Sequence, residues 1–221
     1  MKIYFPLLLI SFFLLQCQTN SAATQNSSPY PEHWWKPVLK EGTPSWEILP
    51  QEARPGEVIL SKRNELGLLS NFAATPFELD GKHYASVEGF WQMLKYPENP
   101  KDERFNPKIK WPFTREQVAA MTAFDAKKAG KIASENMKAL SIDWVTYNGQ
   151  KLIYHAQTRG DFYNLILRAE WAKLRQNENV RNILLSTGDL KLRPDHIEEA
   201  DAAPAWRYYE MWMEIREQIR R

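Results

Sequence analysis

The sequence predicts an α+β fold: a helix-dominated single domain with a small antiparallel hairpin near its start. Three observations carry that reading. Pro76 to Ala85 alternates apolar and polar residues around Asp80-Gly81, and such a pair favours a tight hairpin because both central residues of the turn need positive φ. Beyond the hairpin, apolar residues recur at helical spacing between start and stop signals. Residues 56–221 are enough for one domain with its own core.

The chain opens with Lys2 and an apolar run from Leu7 to Leu15 broken only by Ser11. One positive charge before a short apolar stretch is the layout of an export signal, here residues 1–17. The run is shorter than the roughly 20 apolar residues of a membrane span. Cys17 is the only cysteine, which excludes an internal disulfide. Leu14-Leu15-Gln16-Cys17 resembles a bacterial lipobox, which implies lipid attachment at Cys17 and a membrane-anchored, extracytoplasmic protein. Gln16 stands where Gly, Ala or Ser is usual, so a cleaved signal without lipid is the alternative. Residues 18–29 have no charge and no apolar period and read as a flexible tether. Residues 30–55 carry five prolines together with Trp34, Trp35 and Trp46. Aromatics are poor linker material, so this segment reads as an extended arm packed onto the domain.

Net charge is +2, and no run of Lys and Arg forms a nucleic-acid stripe. Nucleic acid is therefore not an expected partner. Val58-Ile59-Leu60 reads as a short buried strand, followed by the hairpin. A helix runs from Ser86 to Tyr96 and stops at Pro97. Thr114-Arg115-Glu116-Gln117 is a capping box that opens another at Thr114. Further helices are expected over Phe124 to Ala139, Gly149 to Gln157, Asp161 to Gln176, Glu178 to Leu185 and Ala205 to Arg220.

On a helical wheel of about 100° per residue, Val87, Phe90 and Leu94 gather on one side. Glu88, Gln92 and Lys95 gather on the other, with Trp91 at the edge. Such a face also suits a solvated surface helix, with Glu88 complementing the dipole at its start. The approach to it distinguishes it: Leu69-Ser70-Asn71-Phe72, then the hairpin, then Ser86-Val87-Glu88.

Leu69-Ser70-Asn71-Phe72, Asp80-Gly81-Lys82, Ser86-x-Glu88 and Gln92-x-x-Lys95, in this order and spacing, resemble the NADAR (YbiA-like) family. Ala126-Lys127-Lys128-Ala129-Gly130-Lys131 and Met213-Glu214-Ile215-Arg216 extend the similarity. The resemblance implies N-glycosidase-like chemistry on ribose-linked groups. Glu88 would stabilise a cation-like sugar carbon or activate water. Lys95 or Lys82 could capture the opened sugar as a Schiff base. Asn71 and Gln92 would orient the ribose by hydrogen bonds, Ser70 and Phe72 would join them in substrate binding, and Trp91 would stack on a base or simply pack in the core.

Two departures from the family pattern stand out. Gly89 and Phe90-Trp91 occupy positions where the family commonly has His followed by Tyr-Phe, so this helix lacks a histidine usable near neutral pH. Toward the C-terminus a glycine-rich loop is replaced by a segment containing Asp195-His196 and then Trp206-Arg207. The first pair offers an acid/base candidate, the second a stacking plane and an anion contact. His83 and His155 have no partner at metal-ligand spacing and His33 lies in the arm, so no metal site is expected; no cofactor is expected either. An exported chain points to a ribosylated or nucleotide-like small molecule, or a modified partner protein, as substrate. A non-catalytic ADP-ribose binder and a surface interaction scaffold are the alternatives.

Overall fold

The structure is a computed structural model that describes Met1 and residues 28–221. The signal after Met1, Cys17 and most of the tether lie outside the described residues. Within them, strand β1 (Glu57–Ile59) pairs in parallel with β6 (Lys191–Arg193), Glu57 opposite Lys191 and Ile59 opposite Arg193. Strands β2 (Phe77–Leu79) and β3 (Lys82–Tyr84) form the antiparallel hairpin. Its turn has φ of 51° at Asp80 and 74° at Gly81, the positive pair that the sequence requires there. Strands β4 (Trp144–Tyr147) and β5 (Gln150–Ile153) form a second hairpin.

That second hairpin corrects the helix expected over Gly149 to Gln157. Asn148 and Gly149 have φ of 50° and 78°, the same turn chemistry as Asp80-Gly81, and Trp144-Val145-Thr146-Tyr147 is the β-branched and aromatic run that precedes it. The strands make three separate pairs, not one small sheet near the start. Helices still dominate: α1 (Val87–Met93), α2 (Arg115–Ala119), α3 (Ala123–Ala139), α4 (Asp161–Gln176), α5 (Glu178–Ser186) and α6 (Tyr208–Ile219). The helix expected from Ala205 begins at Tyr208, after a separate 3₁₀ turn at Pro204–Trp206. Among the described residues, no helix is long and apolar enough to cross a membrane.

Local chemistry sets the helix starts. Ser86 caps α1 by accepting a bond from the Gly89 N–H at 2.9 Å. The Thr114 hydroxyl accepts from the Gln117 N–H at 3.2 Å while Gln117 Oε1 accepts from the Thr114 N–H at 2.8 Å, a reciprocal box. Helix α1 is central and touches α2, α3 and α4. Val87, Phe90 and Leu94 are fully buried in the larger core cluster. A second cluster gathers β1, α5, β6 and α6 around Trp34 of the arm. The indole N–H groups of Trp34 and Trp35 donate to Glu65 Oε1 at 2.7 Å and to the Glu57 carbonyl at 2.9 Å, and these bonds fasten the arm to the domain.

Asp80 joins the two hairpins to α4: it accepts from the Tyr147 hydroxyl at 2.9 Å and from Arg168 at 2.6 Å. A β-branched residue at the adjacent positive-φ site would strain this junction. Gly81→Val is expected to destabilise the domain by about 1–3 kcal/mol, read as a lowered thermal midpoint. An unchanged midpoint would contradict the turn.

Candidate active site

The polar face of α1 is covered rather than solvated. Glu88, Gln92 and Lys95 are 8%, 9% and 9% exposed. Gln92 Nε2 donates to Glu88 Oε1 at 2.9 Å. Lys95 Nζ donates to Ser134 Oγ of α3 at 3.0 Å, and that hydroxyl donates in turn to the Gly130 carbonyl. Two glycines permit this closeness. A Cβ at position 130 would stand 1.8 Å from Gln92 Oε1, and one at position 89 would stand 2.3 Å from the Met121 carbonyl oxygen. The second contact explains the first departure noted in the sequence: no histidine side chain fits at position 89.

The segment Leu69 to Phe72 is held beside this face by three elements. The Glu88 N–H donates to the Asn71 carbonyl at 2.9 Å. Lys173 Nζ of α4 donates to the Ser70 carbonyl at 2.8 Å, and the Trp212 indole of α6 to the Leu69 carbonyl at 2.7 Å. Ser70, Asn71 and Phe72, with residues of α1 and α3, wall a cavity of about 580 Å³, within the range of small-molecule sites.

Ser70, Asn71, Phe72, Glu88, Trp91, Gln92, Lys95, His196 and Trp206 all line this cavity. Three other candidates do not. Lys82 sits on exposed β3 and lines a separate cavity of about 310 Å³ with Tyr84 and Arg115, which leaves Lys95 as the amine beside Glu88. Asp195 is 2% exposed, receives Lys62 Nζ at 2.7 and 2.5 Å, and lies 3.3 Å from His196 Nδ1. Burial would raise its carboxyl, but the His196 bond and the Lys62 charge outweigh that and hold it below the usual value. It is a buried counter-ion behind the cavity wall. Arg207 lies 3.7 Å from Glu210 at the start of α6 and is not part of the lining.

The cavity also contains side chains that the sequence reading missed. Lys62, Phe124, Lys127, Tyr154, His155 and Trp46 of the arm all line it. Lys127, Gly130 and Ser134 share one face of α3 at helical spacing, a signal available in the sequence. Tyr154 and His155 were hidden by the mistaken helix. The His155 ring lies 3.7 Å from that of Tyr154 and 5.1 Å from that of Trp206, centroid to centroid. Burial first, and then the Lys95 charge, favour its neutral form.

Burial dominates the electrostatics. It raises the Glu88 carboxyl above its ordinary value, against the opposing Gln92 bond and the charges of Lys95, Lys127 and Lys62. It lowers the Lys95 amine to about 8, with Glu88 acting in the opposite sense. The site thus holds a carboxyl that accepts protons readily and an amine that releases one readily. Asn71 Oδ1 and Gln92 Oε1 are buried without a hydrogen-bond partner among the described residues, and no three His, Cys, Asp or Glu side chains there stand close enough to hold a metal ion.

Gly130→Ala tests the packing beneath the site. Alanine is favoured over glycine inside a helix by about 1 kcal/mol, so any loss must come from collision with Gln92. Overpacking of this kind costs about 1–3 kcal/mol, and the thermal midpoint is expected to fall. A midpoint at or above that of wild type would contradict the contact.

No family profile matches the chain, and no curated protein matches it. Among solved structures the chain is similar to the NMR structure of the E. coli protein YbiA, with 22% sequence identity and a TM-score of 0.46. The similarity covers 74% of this chain and 86% of that one.

Proposed function

We propose that this domain is an N-glycosidase-like hydrolase that cuts the N-glycosidic bond of a ribosylated or ADP-ribose-type small molecule. The observation that carries the reading is the pair Glu88 and Lys95, buried together on one face of α1 and lining one cavity. As the C1′–N bond breaks, its electron pair leaves with the base and positive charge collects on C1′. The ionised Glu88 carboxylate stabilises that charge and takes a proton from the water that attacks C1′, and that proton passes on to the departing nitrogen, which restores the carboxylate. In a second route the neutral Lys95 amine attacks C1′ as the C1′–N bond breaks and passes a proton to the departing base; the sugar ring then opens to a Schiff base, which water hydrolyses to free sugar and Lys95. Tyr154, Trp91 and Trp206 offer aromatic walls for the base, and the Asn71 and Gln92 side chains line the same cavity.

Residues 1–17 support a further part of the proposal, that the domain works outside the cytoplasm, tethered through a lipid on Cys17. A small diffusible substrate suits that setting better than chromosomal DNA.

Glu88→Gln is the direct test. It is expected to retain the fold and lose about 10²- to 10⁴-fold in rate, measured as free base released from ribosylated probes. Full activity in Glu88→Gln would remove the assigned role, and wild-type binding without release would leave a non-catalytic binder. The pH profile separates the two routes. Rate should rise as Glu88 ionises above the ordinary carboxylate range. It should level off if water attacks, and continue to rise through about pH 8 if neutral Lys95 is required. Because the Glu88 value is raised in the fold, wild-type stability should decline as pH climbs from the unfolded value through that raised one. Glu88→Gln should lack this decline.

A further inference from the structure

The outer end of the cavity is built from parts that the proposed cleavage does not use. Trp46, Phe124 and Ile197 are 42%, 59% and 67% exposed, and all three line the cavity. Large apolar side chains gathered at one opening mark a place where something binds. Trp46 is held there by the arm. The Ile48 N–H donates to the Asp195 carbonyl at 2.9 Å and the Ile197 N–H to the Trp46 carbonyl at 3.0 Å, around an antiparallel bridge between Glu47 and His196. Arg63 clamps Glu47 with two bonds of 2.7 Å. This wall comes from residues 30–55, outside the stretch that carries the family resemblance.

The same opening is cationic. Lys127 Nζ lies 6.0 Å from the Trp46 ring centre and 5.8 Å from that of Phe72, and no carboxylate lies within 4 Å of it among the described residues. Lys62 Nζ lies 5.1 Å from the Phe72 ring, with its charge offset by Asp195 behind it. Both ammonium groups act on Glu88, the one carboxylate in the cavity lining. Phe72 and Phe124 meet edge to face at 5.2 Å, leaving the outer ring partly bare.

We propose that this mouth is a second subsite, which takes a planar aromatic ring against Trp46 and Phe124 and a phosphate on Lys127, with Lys62 in support. The ligand is then a phosphate-bearing nucleotide rather than an uncharged nucleoside, and Trp46 and Lys127 determine that choice. The hydrolase reading supplies the bond to be cut; the subsite rests on its own geometry. Aromatic stacking tolerates any base, while an ammonium without a carboxylate partner discriminates by charge.

Calorimetric titration with AMP, adenosine and ribose 5-phosphate, in a Glu88→Gln background so that no probe is consumed, tests the proposal. AMP should bind on the order of 10-fold tighter than adenosine, an advantage that shrinks with added salt. Lys127→Gln should erase that advantage and leave adenosine unchanged. Trp46→Ala should weaken AMP and adenosine by about 10-fold without affecting ribose 5-phosphate, and Trp46→Phe should restore most of the loss. AMP binding no tighter than adenosine, or both variants binding all three probes like the parent, would overturn the subsite. Base release by the otherwise wild-type protein with this pattern absent keeps the hydrolase and removes the subsite. The pattern without any release keeps the subsite and removes the hydrolase.

Discussion

The close approach of α3 to α1 at Gly130 is the constraint on which the rest of the site depends. With no Cβ at that position, the Gln92 amide lies directly against α3, and the helix face that carries Glu88 and Lys95 is covered instead of hydrated. A buried carboxyl and a buried amine each cost free energy unless they are paired and hydrogen-bonded. Gln92 and Ser134 supply those bonds. What remains of the cost appears as the raised Glu88 carboxyl and the lowered Lys95 amine. Opened to water, the same residues would be an ordinary polar stripe.

A second buried pair supports the first. Glu170 and Lys173 on α4 are fully buried, and burial moves the carboxyl up to about 7 and the amine down to about 8. Lys173 spends one of its protons on the Ser70 carbonyl, which fixes the loop whose next residue, Asn71, receives the Glu88 N–H. The chemistry proposed for α1 therefore depends on ordering from α4 and α6. Distant segments complete the enclosure. The β4–β5 hairpin delivers Tyr154 and His155, the C-terminal loop delivers His196 and Trp206, and the arm delivers Trp46.

Much of the fold was legible where short-range rules act. Asp80-Gly81, the Ser86 cap and the Thr114 box each concern residues within four positions of one another, and each holds in the structure. The wheel correctly placed Glu88, Gln92 and Lys95 together. It could not show that α3, some forty residues further on, would cover them. Asn148-Gly149 carried the same signal as Asp80-Gly81, and reading Gly149 as a helix start concealed both β5 and the histidine beyond it. The parallel pairing of β1 with β6 joins segments far apart in the chain whose sequences contain no hint of each other. Asp195 and His196 are neighbours bonded to each other, yet only His196 lines the cavity while Asp195 is buried against Lys62. Only the tertiary position of the loop decides which goes where.

The most direct measurement is an NMR titration of the Glu88 side-chain carboxyl by its ¹³C shift, assigned by its loss in Glu88→Gln. The account predicts a midpoint clearly above the ordinary glutamate value of 4.5. A wild-type midpoint at or below 4.5 would show that the face of α1 is hydrated, and would contradict the buried carboxyl on which the site is built.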